Sequence, residues 1–363
     1  MNAAVHDPKP GRVSPLLRHV AAAAVGLVLL TAVAIGLFLV WLDSHAGHDW
    51  LLARLNRSLA AEGIALEGLG GSLWRRTRLA ALRYSDAEGP VLTLEDIVVE
   101  WRPRALLRRR LWIDRLTVAR GRLARRPEAD APQAGTTPSG SGTPLPPEIV
   151  IKSFTLPDFA VSPAAFGVPA ALAATGDLQL VPAQRIRARL DIRRRDGADL
   201  DRLSLDLDYR AGAATLEFAS GLTGKAGGLL AAVFGVRPEE DVAIEIAGSG
   251  PLADWRGTLS GHAGSAARAS AQIETAGDHV AITGRLELDA ARLPTPLGVI
   301  LGSGGEFRLG AGAARDGRIA LSARADLDRG SYRLDGTIAP GEAPRLDLAL
   351  SATVAEAAPL TNA

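Results

Sequence analysis

The chain has 363 residues, of which 47% are hydrophobic, so it can bury a sizeable core and is not a disordered segment. Its 41 Lys and Arg nearly balance its 40 Asp and Glu, and this excludes the basic excess that nucleic acid binding requires, so we expect no nucleic acid partner. The absence of cysteine excludes disulfides and thiolate metal sites, while an oxidising compartment is still permitted.

The first predicted element is a transmembrane helix. Residues Val20–Leu42 carry no charge, and these 23 residues form a helix of about 35 Å, enough to cross a hydrocarbon core of roughly 30 Å. A cleaved signal peptide is the alternative, but its apolar region is usually shorter. Basic residues precede the span, and the next one follows only at Arg54. We therefore expect a bacterial inner-membrane protein with residues 1–15 in the cytoplasm, a single span at 16–42 and the body in the periplasm.

Residues 43–126 are predicted to form a membrane-proximal unit. Asp49–Ala61 has the apolar period of a helix, which rests either on lipid or under the first strands. Trp41 and Trp50 are expected at the outer membrane interface, where amphipathic aromatic side chains are favoured. Short apolar runs separated by turn sequences then predict four strands, at Ile64–Glu67, Leu79–Tyr84, Val91–Trp101 and Leu111–Ala119.

A basic patch lies between the last two of these strands. Near a membrane surface, such a cluster can contact anionic lipid headgroups at roughly 1 kcal/mol per charge. The alternative is a solvated loop that keeps the end of the sheet from pairing. The candidate headgroup contacts are Arg102, Arg104, Arg108, Arg109 and Arg110.

Residues 127–147 are predicted to be a linker, because six Pro, three Gly and five Ser or Thr cannot bury apolar surface. Residues 148–363 are predicted to form a β-rich body, because apolar and polar residues alternate between Gly-containing turns, as in an antiparallel meander. Short helices at Leu229–Val236 and Pro294–Leu301 are expected to dock on this sheet. No closing signal follows the last strand, so we expect the body to be incomplete at its C-terminus.

The apolar face of the body has two interpretations. If the sheet curls, this face lines a groove for acyl chains, and each buried CH₂ contributes roughly 0.8 kcal/mol. If the face packs on a second sheet or on the short helices, it is a closed core. The candidate lipid-facing residues of the groove are Ile186, Leu190, Ile192, Leu203, Leu205, Leu207, Val280, Ile282, Ile319 and Leu321.

We expect no catalysis, no cofactor and no metal site. The body has only His262 and His279 as imidazoles, and their spacing matches no metal-binding motif. Asp206 and Asp208 share a strand face with arginines, which indicates a charge ladder rather than an acid–base pair. No G-x-S-x-G motif occurs, so an anchored hydrolase is a poor hypothesis.

The order of several short motifs resembles the TamB family, the inner-membrane subunits of the translocation and assembly module within the AsmA-like superfamily. The predicted anchor is followed by Gly70–Leu73 and by D-x-x-G-P-V-L within Leu79–Leu92. W-x-P-x-x-L within Val98–Leu107 and I-D-x-L within Leu111–Leu116 come next. The segment Gly248–Gly257 is similar to a sequence motif that occurs between strands in these proteins.

This resemblance covers residues 16–126 more strongly than residues 148–363. It implies a mainly β fold, in which a transmembrane helix precedes a long curled antiparallel sheet with a taco-like groove and a few short helices. The groove would carry phospholipid to the outer membrane and assist outer-membrane protein and autotransporter assembly and secretion, with a TamA-like outer-membrane barrel as partner. Typical members are far longer. The alternative is a membrane-anchored structural or adhesive β-solenoid without lipid binding, although the tight repeat of such solenoids is absent.

Overall fold

The computed structural model shows one seventeen-stranded sheet with a few short helices, so the mainly β prediction is confirmed. Most of the predicted transmembrane span, linker and second short helix lie outside the described residues. Within the described part of the chain, no helix has both the length and the apolar character needed to cross a membrane. The structure describes residues 37–38, 40–127, 148–197, 201–234, 236–237, 239–292, 301–313, 318–339 and 345–354.

The strands follow the alternating apolar and polar runs of the sequence, and most extend further than the runs do. They are β1 (Ile64–Ser72), β2 (Arg76–Asp86), β3 (Gly89–Trp101), β4 (Arg110–Leu123), β5 (Glu148–Val161), β6 (Ala170–Val181), β7 (Arg185–Arg194), β8 (Asp201–Arg210), β9 (Thr215–Gly224), β10 (Val242–Pro251), β11 (Arg256–Ala263), β12 (Ala267–Ala276), β13 (His279–Leu288), β14 (Gly304–Ala313), β15 (Ile319–Leu327), β16 (Gly330–Ala339) and β17 (Arg345–Val354).

Each strand pairs with the next one in chain order, and the sheet is not closed. One pair differs from the antiparallel prediction, because β4 and β5 run parallel. A parallel partner requires the chain to return along the strand length, and residues 124–147 are long enough to do so. The strands on both sides of the predicted linker therefore belong to one sheet, while the predicted domain boundaries remain predictions.

Helix α1 (His45–Leu59) covers the edge of β1. The Asn56 side-chain amide pairs with Leu66 as another strand would, donating to the Leu66 carbonyl at 2.9 Å and accepting from its N–H at 2.7 Å. Before the helix, the Asp43 carboxylate accepts hydrogen bonds from the Leu73 N–H at 2.6 Å and the Ser72 hydroxyl at 3.1 Å. Of the two predicted locations for this helix, the structure therefore shows the packing against the first strands.

Two further short helices lie at one set of strand ends. Helix α2 (Pro163–Phe166) follows β5, and helix α3 (Leu229–Val233) follows β9, within the predicted segment Leu229–Val236. We call the rim of the sheet that carries them the helical rim. The opposite set of strand ends carries the turn at residues 73–75 and the 3-10 helix Pro103–Arg108, and we call it the basic rim.

A hydrophobic core forms from residues of β2 to β7, around Ile97, Val118, Leu156 and Ala174, each at most 9% exposed. Leu94 packs against this cluster although its odd spacing from Ile97 would place the two on opposite faces of a regular strand. Asp96 lies between them with a left-handed φ of 53°, and this irregularity accounts for the shared face.

Candidate functional site

One face of the sheet carries a continuous apolar row that crosses every strand from β4 to β17. Residues paired across neighbouring strands point to the same face, so the register traces the row directly. Its thirteen spacings of roughly 4.8 Å give a path of about 60 Å. The row runs through Ile113, Ile151, Leu178, Ala188, Leu207, Phe218, Gly248, Gly257, Ile273, Ile282, Leu309, Ala323, Leu334 and Leu350.

All ten groove residues predicted from the sequence lie on this face, which we call the apolar face. Leu190 pairs with Leu205, and Ile192 pairs with Leu203, in positions flanking the row. Ile319 is the first residue of β15 and lies opposite Ala313. The register thus brings the predicted residues of β7, β8, β13 and β15 together on one surface, and their contact with lipid remains a prediction.

The exposure of the apolar face increases along the sheet. Its buried side chains in β3 to β6, namely Ile97, Val118, Leu156 and Ala174, form the core described above. Several of the side chains of this face in β13 to β17 are open to solvent, since Val280 is 39% exposed, Leu309 41% and Leu350 72%. An apolar cavity of about 260 Å³ opens there. The predicted residues did not include Leu309 and Leu334, because the alternation of apolar and polar residues around them is less regular. The cavity is lined by Val280, Ile282, Leu309, Gly310, Ala311, Leu321, Ser322, Ala323 and Leu334.

The opposite face carries ladders of ion pairs. Arg189 pairs with Asp206 at 3.0 Å, and the Arg185 guanidinium donates two hydrogen bonds to Asp208, one of them at 2.9 Å. These bonds lower the pKa of Asp208. Asp206 and Asp208 are thus members of a charge ladder. A concavity of about 980 Å³ also lies on this charged face, across β7 to β12, so the sheet is not concave on its apolar side alone. A strongly twisted sheet can be concave on different faces at different places.

The helical rim folds over part of the apolar face. Leu229 of α3 is 8% exposed and packs with Val161, Ala165 and Ala170, so the predicted docking of this segment on the sheet is confirmed. The carboxylate of Asp201, at the start of β8, accepts the backbone N–H groups of Leu229 at 2.7 Å and of the next residue at 3.1 Å. This carboxylate caps the N-terminus of α3 and holds the helix over the apolar face.

The Trp255 ring lies over the two glycines of the apolar row, Gly248 and Gly257. A Cβ atom at Gly248 would lie 2.2 Å from the indole ring, and one at Gly257 would lie 2.4 Å from it. The indole N–H donates to the Leu216 carbonyl at 3.0 Å, and the side chain is only 7% exposed. The segment Gly248–Gly257 thus supplies two glycines, and the space left by their missing side chains is filled by the Trp255 ring.

The five candidate headgroup arginines fall into two groups. Arg102 forms a bidentate pair with Asp114 at 2.6 and 2.9 Å, and Arg110 pairs with Glu148 at 2.6 Å. The hydrogen bond between Arg102 and Asp114 raises the pKa of the guanidinium and lowers that of the carboxyl. The remaining three, Arg104, Arg108 and Arg109, are exposed and form no ion pair within the described residues.

The described residues contain no group of three or more His, Asp or Glu side chains arranged to hold a metal ion. His262 lies 3.5 Å from Asp241, and His279 lies 3.9 Å from Asp278, so the two imidazoles of the body have separate acidic neighbours.

Comparison with known proteins identifies the chain by family. A family model described as "YdbH-like: Intermembrane phospholipid transport protein YdbH" matches residues 32–363. No curated protein and no solved structure matches the chain significantly. The family match supports the lipid-transport half of the expectation drawn from the TamB resemblance, and it does not confirm TamB itself. The chain therefore belongs to the YdbH-like family, and this membership implies intermembrane phospholipid transport.

Proposed function

We propose that the chain carries phospholipid with its acyl chains along the apolar face, as a non-catalytic conduit between membranes. The observation that carries this proposal is the row from Ile113 to Leu350, in which no polar side chain interrupts the path. Each methylene that moves from water onto such a surface contributes roughly 0.8 kcal/mol. The charged face would keep its ion pairs in water, so the lipid would be held by its chains more than by its headgroup.

The cavity across β13 to β16 is the best candidate for an acyl-chain site. Its lining is almost entirely aliphatic, and Val280 and Leu309 are about two-fifths exposed. Large apolar surfaces in water mark binding sites. The larger concavity on the opposite face is lined by Arg187, Asp206 and other charged groups, and these would be desolvated by an acyl chain at a high cost.

The inner-membrane anchor and the periplasmic location belong to this proposal. Their support is the uncharged segment Val20–Leu42, the basic residues before it and a family that acts between membranes. The role in outer-membrane protein assembly and the TamA-like partner have only the motif resemblance to TamB as support.

Photo-crosslinking in cells tests the lipid site. A photoreactive side chain would replace Ile282 or Leu321, which line the cavity, or Leu205, which lies beside the row. Ser204 and Arg324 point to the opposite face and serve as matched controls. Phospholipid attached at the apolar positions and absent from the controls is the expected result. A folded protein that captures no phospholipid at any apolar position would favour the anchored structural protein without lipid binding.

A further inference from the structure

The basic rim carries an exposed amphipathic tip. The 3-10 helix Pro103–Arg108 between β3 and β4 exposes Leu107 to 88% and Leu106 to 44%. Exposed leucines are common singly, but two adjacent ones on a short helix form a small wedge. Arginines stand on both sides of this wedge, at Arg104 before it and at Arg108 and Arg109 after it.

The base of this tip is held firmly. Arg102 forms its bidentate pair with Asp114, and its guanidinium lies 5.4 Å from the centre of the Trp112 ring. The Arg102 N–H also donates to the Trp112 carbonyl at 2.9 Å. At the other end, Arg109 has a left-handed φ of 56°, and its N–H closes the helix on the Leu106 carbonyl at 2.9 Å. The leucines are therefore presented on a braced element.

The tip shares its rim with the point where the N-terminal segment meets the sheet. Asp43 binds the Ser72–Leu73 turn of this rim, and Trp41 lies two residues before it. The Trp41 ring contacts Trp50 of α1 at 5.9 Å between centroids, and both rings are at least 40% exposed. Exposed indole rings are characteristic of the membrane interface. The tip, α1 and these rings are thus all attached to the part of the sheet that the first four strands form.

We propose that this tip docks on an anionic bilayer surface, with Leu106 and Leu107 entering the headgroup region and Arg104, Arg108 and Arg109 contacting acidic headgroups. The charge complementarity carries the choice of partner, because these three guanidinium groups have no carboxylate partner within the described residues. An aliphatic pair flanked by cations is the pattern of an element that binds at an interface. Arg102 and Arg110 brace the tip and do not contact lipid.

Fluorescence quenching tests this surface, because the natural chain contains no cysteine. The 363-residue chain with Leu107→Cys would be labelled with an environment-sensitive dye and reconstituted in vesicles of phosphatidylcholine and phosphatidylglycerol that contain a spin-labelled lipid. Ala183→Cys, in the turn between β6 and β7 on the same rim, and Glu88→Cys, in a turn at the opposite rim, provide control positions. We expect strong quenching and a blue shift at residue 107 and weak quenching at both controls.

The charge requirement is tested in the same labelled chain. Arg104→Gln combined with Arg108→Gln should abolish most of the quenching at residue 107, as should vesicles of phosphatidylcholine alone. Arg122→Gln combined with Arg193→Gln removes two exposed arginines elsewhere and should leave the quenching unchanged. Circular dichroism would establish that each variant is folded. Quenching at residue 107 no stronger than at residue 88, or equal in neutral and anionic vesicles, would overturn the proposal.

Discussion

Arg194 and Asp201 form an ion pair of 3.4 Å between β7 and β8, with side chains only 9% and 6% exposed. The same guanidinium donates to the Pro169 carbonyl at 3.0 Å, beside α2, and to the Gly227 carbonyl at 3.4 Å, beside α3. Asp201 in turn caps α3. One buried pair therefore ties both short helices to the rim of the apolar face.

Removing the Asp201 carboxylate should weaken the attachment of α3 to the sheet. Asp201→Ala leaves two backbone N–H groups without their acceptor and deprives Arg194 of one partner, so we expect the free energy of unfolding to fall by about 2–4 kcal/mol. Urea titration measures this loss. Asp206→Ala breaks an ion pair that is half exposed on both sides and should cost less than about 1 kcal/mol. Equal losses in the two variants would refute the role of Asp201.

The two glycines under Trp255 should not tolerate a methyl group. In Gly257→Ala, the new Cβ would meet the indole ring at 2.4 Å and the Ala247 carbonyl oxygen at 2.9 Å, so we expect overpacking to cost about 1–3 kcal/mol of stability. Gly70→Ala in β1 is the matched control, because a Cβ there meets nothing within 4 Å. Thermal unfolding should show a lower midpoint than the parent for Gly257→Ala and an unchanged midpoint for Gly70→Ala. A Gly257→Ala variant as stable as the parent would contradict the packing described.

Acidic pH should lower the stability of the fold, because Asp208 on the charged face becomes protonated. The hydrogen bonds from Arg185 lower the pKa of this carboxyl in the folded chain, so its contribution is complete above the ordinary aspartate pKa of about 3.9 and is lost as the pH falls through the lowered value. Asp208→Asn should therefore be less stable than the parent at neutral pH and should lose less stability on acidification. Urea midpoints measured between neutral and strongly acidic pH test this. Parallel acid curves for the two chains would exclude the contribution.

A charge on the apolar face should prevent lipid binding there. Leu309 borders the 260 Å³ cavity, and Leu309→Asp would force an acyl chain to desolvate a carboxylate, so we expect captured phospholipid to fall at least about tenfold. Arg308→Asp adds the same side chain on the opposite face of the same strand and should have no such effect. The amount of phospholipid crosslinked at Ile282 is the measurement. Equal loss in both variants would point to damage to the fold instead.

The alternation of apolar and polar residues was sufficient to place the ten predicted groove residues on one face. Period-two patterns determine which side chains share a face, and strands joined by short turns pair with their neighbours, so Leu190 could be expected near Leu205. Such patterns carry no information about a parallel partner beyond a long connection, and the pairing of β4 with β5 was therefore missed.

The other differences depend on single residues whose effect is tertiary. The left-handed Asp96 lets Leu94 and Ile97 pack in one core, although their spacing alone indicates opposite faces. Asp201 was not distinguished from other strand aspartates, because its role as a helix cap depends on α3, nearly thirty residues later. The curled sheet was predicted with its groove on the apolar face, but the concavity across β7 to β12 on the charged face was not, since twist, rather than alternation, decides where each face is concave.

The central claim is a continuous path for acyl chains, and crosslinking along the apolar row tests it most directly. Photoreactive side chains would be placed one at a time in different strands, at Leu178, Leu207, Ile273 and Leu334, with a charged-face neighbour of each as its control. We predict phospholipid capture at all four row positions and at none of the controls. Capture confined to Leu334, beside the open cavity, or equal capture on both faces, would contradict a path along the sheet.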